Sequence, residues 1–203
     1  MGLIRNIRKG FMFLGSRYDL APEDASLLAR YLTDPERALF VRMDPPDQEH
    51  SLRVTRKVQE ALQHYPQLDE RVLTKAALLH DVGKVGGRLG LLFRTFWVTA
   101  HKTTPELLDR LAWRGEHARR GSLRHKMYVQ VAHASLGADL LGETGTQAEV
   151  RELVRCTGDY CEPDDPLPKW LLLSADADRV LTPQNEAKWR DETEPSRKHE
   201  RGR

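Results

Sequence analysis

Apolar residues recur at three- and four-residue spacing through most of this chain, the period of a helix with one buried face. Leu27, Leu28 and Tyr31 form such a stripe behind Pro22 and two acids, a favourable helix start. Thr33, Pro35 and Glu36 open a short second helix with a cap-x-x-acid pattern. It presents Ala38, Leu39 and Phe40, and Pro45 and Pro46 are expected to end it. A longer helix is predicted over residues 48–64, where His50, Val54, Val58 and Leu62 share a face. Asp69 is the expected cap of the next, with Val72, Ala76, Leu79 and Val82 inward and Gly83 loosening its end. Further helices are predicted over residues 104–113, 126–141 and 147–156. A last one passes through the apolar run at 170–175. The pattern reads as an all-α helical bundle of about six to eight helices.

At 203 residues the chain is long enough for one real core. That core is placed at 39–183. A helical extension at 1–38 packs on it, and a polar tail at 184–203 is expected to be disordered from about residue 190. Charged residues at 31% beside 39% hydrophobic suit a soluble protein. A net charge of +2 argues against dedicated nucleic-acid binding. The apolar run in residues 1–15 is too short for a membrane span, so integral insertion is not expected. That basic start can touch a membrane surface, but packing on its own domain is the preferred reading. Cys156 and Cys161 establish no disulfide framework and are read as free thiols in a reducing compartment, so a cytoplasmic location is expected. Oligomeric state is not legible.

The chemistry concentrates at 75–86, KAALLHDVGKVG, which sets His80 beside Asp81 at the end of an apolar helix. Imidazole nitrogen and carboxylate oxygen are both ligands for first-row divalent ions. His50 lies upstream, and Asp176 sits downstream on a strongly apolar helix where a buried carboxylate needs a compensating partner. The order H…HD…D, the run HDVGK and the run HASLGADLL resemble the HD-domain metal-dependent phosphohydrolases over about residues 39–180.

That resemblance implies a phosphoester or phosphoanhydride hydrolase acting on a nucleotide through metal-activated water. It implies His50, His80, Asp81 and Asp176 as metal ligands, with Asp178 the rival for the last place. Asp81 also carries a catalytic role, orienting or deprotonating the water. Lys84 either contacts phosphate, as the resemblance implies, or is a solvent-facing lysine favoured by the helix dipole. His133 is expected to face the site. In such families its counterpart binds a second metal or helps bind phosphate. Two-metal members commonly place histidines where this chain has Cys156, Thr157, Gly158 and Asp159, so one divalent ion is expected, either Mn, Fe, Co, Ni or Zn.

The basic stretch RGEHARRGSLRHK carries Arg119, Arg120 and Arg124, read as a substrate-binding lid or as ordinary surface charge. A nucleotide or another phosphorylated small molecule is the expected partner. A non-catalytic nucleotide-binding regulator, or a structural partner protein, is the alternative.

Overall fold

The computed structural model describes residues 20–87, 105–158, 166–177 and 181–193. Among these residues every regular element is helical. The elements are α1 Pro22–Tyr31, α2 Asp34–Phe40, α3 Pro45–Leu62, α4 Glu70–Leu79 and a 3-10 turn Val82–Lys84. They continue as α5 Pro105–Trp113, α6 Leu123–Glu143, α7 Ala148–Arg155, α8 Pro166–Asp176 and α9 Pro183–Thr193. The all-α expectation therefore holds.

Helix α4 is the axis of the bundle. Asp69 starts it by accepting hydrogen bonds from the Arg71 and Val72 amides at 2.8 and 3.0 Å. Every residue from Leu73 to Leu79 is buried. A helix buried on every side over two turns belongs in the middle of a core. Helices α3 and α7 pack against it, α8 lies across α3, and α6 runs along the 3-10 turn. Phe40, Leu52, Val58, Leu78, Leu141 and Leu171 fill the space between. Leu28, Tyr31 and Phe40 join the same core, so α1 and α2 are packed into it.

One buried polar group ties these elements together. Glu36 on α2 accepts from the Thr33 amide at 2.8 Å and from Thr146, ahead of α7, at 2.8 Å. Lys75 of α4 donates to it at 3.0 Å. All partners are present, which is the condition under which a buried charge is tolerated.

Three local expectations are corrected. Pro45 and Pro46 do not end α2, which stops at Phe40; they occupy the first turn of α3. Proline suits that position because its missing amide would be unpaired there anyway. Gly83 does not loosen a helix end: it is buried, and a Cβ on it would stand 1.9 Å from the His133 carbonyl oxygen and 2.5 Å from the Gly137 nitrogen. It is glycine so that α6 can lie directly on the turn. Cys156 is disulfide-bonded, not a free thiol. The only other cysteine in the sequence is Cys161, which lies outside the described residues. Cysteine usage thus gives no support to a reducing compartment.

Helix α6 starts at Leu123, three residues earlier than expected, because the Ser122 hydroxyl caps it by accepting from the His125 amide. Helix α9 runs into the segment read as a polar tail, and Trp189 packs on Trp170 with ring centroids 6.0 Å apart. Residues 1–19 and 194–203, on which the terminal expectations fall, lie outside the described residues.

Candidate metal centre

Four helices deliver side chains to one place. His50 stands on α3 above buried Val54 and Val58. His80 closes α4, Asp81 opens the 3-10 turn, Asp176 ends α8, and His133 comes from the middle of α6. His50 Nε2 lies 2.5 Å from Asp176 Oδ1. His80 Nε2 lies 3.6 Å from both Asp176 Oδ1 and Asp81 Oδ1. Ligand atoms of His50, His80 and Asp176 all fall within 4.8 Å of one another. Asp81 Oδ1 also faces His133 Nε2 at 3.7 Å, while its Oδ2 accepts from Lys84 Nζ at 2.6 Å. The turn that brings Lys84 back over Asp81 therefore leaves one carboxylate oxygen for the cluster and ties the other.

Hydrogen bonds fix the tautomers. His80 Nδ1 is 2.9 Å from the Ala77 carbonyl and His133 Nδ1 is 2.8 Å from the Gln130 carbonyl. A carbonyl only accepts, so both rings carry the proton on Nδ1 when neutral and turn an Nε2 lone pair to the cluster. The buried His80 Nε2 has no hydrogen-bond partner. Its 3.6 Å approach to two carboxylates is too long for a hydrogen bond. A buried, unpaired imidazole nitrogen aimed between two carboxylate oxygens fits a divalent cation, with the Ala77 carbonyl supplying the orienting contact that metal-bound histidines carry. His50 differs. Arg53 donates to its Nδ1 at 2.8 Å, which leaves the ring proton on Nε2, pointed at Asp176.

Burial opposes charge on Asp81, but Lys84, His80 and His133 outweigh it and hold the carboxyl well below the usual range. Asp176 is likewise held low against burial by His50 and His80. His80 is raised: burial opposes its protonation, yet the two carboxylates prevail. His133 is lowered by burial and by Lys84. The cluster is thus strongly anionic at its carboxylates and walled by imidazole, an arrangement for holding a cation.

The structure brings His50, His80, Asp81, Lys84, His133 and Asp176 together. No hydrogen bond or ion pair joins Arg119, Arg120 or Arg124 to them among the described residues. All three are exposed at or before the first turn of α6. Arg124 is nine residues from His133, about two and a half turns and roughly 13 Å along the axis, so it points to the opposite face. Asp178 and Asp159 lie outside the described residues. The disulfide removes Cys156 as a thiolate ligand. Sequence reading overlooked the Ala77 and Gln130 carbonyls, because a backbone acceptor three residues upstream leaves no mark on residue identity.

The HD domain family model matches residues 48–182, about two thirds of the chain. The matched span contains all six of the clustered residues. No curated protein and no solved structure shows a significant match. With the His-His-Asp cluster at its centre and the family model spanning most of its helices, the chain belongs to the HD-domain metal-dependent phosphohydrolase family.

Proposed function

We propose that this protein hydrolyses a phosphoester or phosphoanhydride of a nucleotide, with His50, His80, Asp81 and Asp176 holding one divalent ion. The observation that carries this reading is the buried, partnerless His80 Nε2 between Asp81 and Asp176. A bound divalent ion supplies Lewis acidity and neutralises phosphate charge. Asp81 holds and orients through Oδ1, the oxygen that Lys84 leaves open. Lys84 reaches the same carboxylate and offers further donors to a phosphate oxygen. His133 presents an Nε2 lone pair toward the same Asp81 Oδ1, where it can take a proton or accept a hydrogen bond from a substrate. Two features favour one ion over two. The Lys84 ammonium already occupies the second oxygen of Asp81, and Cys156 is not a free thiolate.

The test is a metal-supplemented hydrolysis screen over nucleoside monophosphates, dinucleoside polyphosphates and cyclic dinucleotides, with metal content measured on the same samples. Asp81→Asn is expected to lower the rate by about a hundredfold or more, through weaker ion retention or lost orientation. Lys84→Ala is expected to keep the ion and weaken substrate binding. Nucleotide binding by metal-loaded protein without turnover of any of the three classes sinks the enzyme reading in favour of a regulator.

A further inference from the structure

The arginines around the start of α6 sit in company of their own. Arg110, Arg114, Arg119, Arg120, Arg124 and Lys126 face a single acid, Glu116, between residues 110 and 126. Six bases against one acid make this stretch net +5 in a chain whose total is +2, so the rest of the molecule sums to −3. The same stretch is unusually apolar on its outside. Leu111 and Trp113 are each 41% exposed and Leu123 is 51% exposed. Among the described residues only one other large hydrophobic, Val41, is exposed to that degree. Scattered exposed apolar side chains are normal, whereas three in thirteen residues inside a basic cluster are not.

These side chains are not spare core. Helix α5 docks on α6 through a small cluster of its own, Leu108 and Ala112 against Met127 and Val131, separate from the main core. Leu111 and Trp113 lie outside that contact. The patch is also built firmly. Gly115 is buried, and a Cβ on it would stand 2.0 Å from the Arg124 carbonyl, so the turn after α5 is pressed onto the start of α6.

We infer that the surface formed by the end of α5, the turn at 114–122 and the start of α6 docks on an anionic phospholipid bilayer. Arginine and lysine supply attraction to the headgroups, and leucine and tryptophan enter the interface beneath them. A tryptophan at a basic apolar rim suits that boundary because its ring is apolar and its N–H is polar. Single-stranded nucleic acid is the less suited occupant. It wants open aromatic faces, whereas Trp113 is set at 66° to Tyr128 in an edge contact, and the other two apolar side chains are aliphatic. Among the described residues no helix is long and apolar enough to cross a membrane, so the contact is a surface one. Arg124 points to the face of α6 opposite His133, and the docking surface goes beyond the hydrolytic reading, which can fail without affecting it.

The experiment is co-sedimentation of the full chain with vesicles of phosphatidylcholine alone and with about a third phosphatidylglycerol. The expected result is at least about tenfold more protein bound to the anionic vesicles, reversed by roughly 0.5 M salt. The triple variant R119E/R120E/R124E is expected to lose that binding while keeping wild-type thermal unfolding and metal content. Leu123→Ser with Trp113→Ser, checked the same way for folding, is expected to weaken it severalfold at unchanged charge. Equal retention by both vesicle types overturns the proposal. So does anionic binding that survives charge reversal in the folded protein. Tighter capture of a single-stranded oligonucleotide than of anionic vesicles, lost in the same triple variant, also overturns it and reassigns the surface to nucleic acid.

Discussion

Arg53 holds His50 in a different state from its neighbours. His80 and His133 are set by backbone carbonyls with an Nε2 lone pair inward, while the Arg53 guanidinium donates to His50 Nδ1 and leaves Nε2 as the donor to Asp176. For His50 to ligate through Nε2, its proton must stand on Nδ1, and Arg53 must let go. Breaking a hydrogen bond to a charged donor costs free energy that ion binding has to overcome. Arg53→Ala is therefore expected to bind the ion about tenfold more tightly than wild type. Titration calorimetry measures the affinity. Long-range nitrogen NMR of the metal-free wild type should find the His50 proton on Nε2. Equal or weaker binding in Arg53→Ala would show that the arginine supports the ligand instead of restraining it.

At this scale the sequence was largely legible. His50 could be placed on an inward face because Val54 and Val58 follow at helical spacing. The His80–Asp81 pair could be singled out because adjacent ligands at a helix end are chemically distinctive. The tautomers could not be read, since they depend on which atom a partner three residues away presents.

Among elements, local signals succeeded where one turn contains the cause. The Asp69 cap is such a case, and so is the Thr33–Glu36 start, where the Thr33 amide does bond Glu36. Pro45 and Pro46 misled because a proline that stops one helix and a proline that starts the next look alike. Lys75 and Glu36 are 39 residues apart, and nothing short-range announces that they meet. Their contact makes a specific prediction. Glu36→Gln leaves Lys75 buried without its counter-charge and is expected to destabilise the fold by about 3 kcal/mol, read by denaturant unfolding at neutral pH. The pH dependence follows from the sign of the Glu36 shift. Burial raises its pKa, but the Thr33 amide, Thr146 and Lys75 together lower it below the unfolded value. The stability it contributes is then fully present above about pH 4.3 and is lost as pH falls through the lower, folded pKa. Glu36→Gln should show a shallower loss of stability below about pH 4 than wild type. Parallel acid limbs for the two proteins would remove Glu36 as the linked group.

For the molecule as a whole, the metal group joins α3, the end of α4 and α8, elements that the chain brings together across 126 residues. An ion that binds only this assembled arrangement stabilises the fold by mass action, about 2.7 kcal/mol at a free concentration one hundred times its Kd. In a domain of this size that corresponds to a rise in Tm of about 5–10 °C. A chelator should reverse it, and elemental analysis should plateau at one ion per chain. A plateau at two would place a second ion beside Lys84 and His133. An unchanged Tm with stoichiometric metal bound would mean that the ion sits elsewhere, on a part of the chain that does not hold the helices together.

The crossing of α6 over the 3-10 turn has a bearing on how this sequence can vary. At position 83 the constraint is an atom that must be missing: the His133 backbone oxygen stands where any Cβ would go. The separation between the His80–Asp81 corner and His133 is thereby gauged by main chain alone and does not depend on which side chains fill the surrounding core. Gly86 makes the contrast. Its φ is +86° and a Cβ there would meet nothing within 4 Å, so asparagine is an acceptable exchange. In a saturation library selected for folding, position 86 should keep glycine, asparagine and aspartate while position 83 keeps glycine alone. The core between the helices can then be rewritten, residue for volume, without changing the gauge that sets the two halves of the metal group apart.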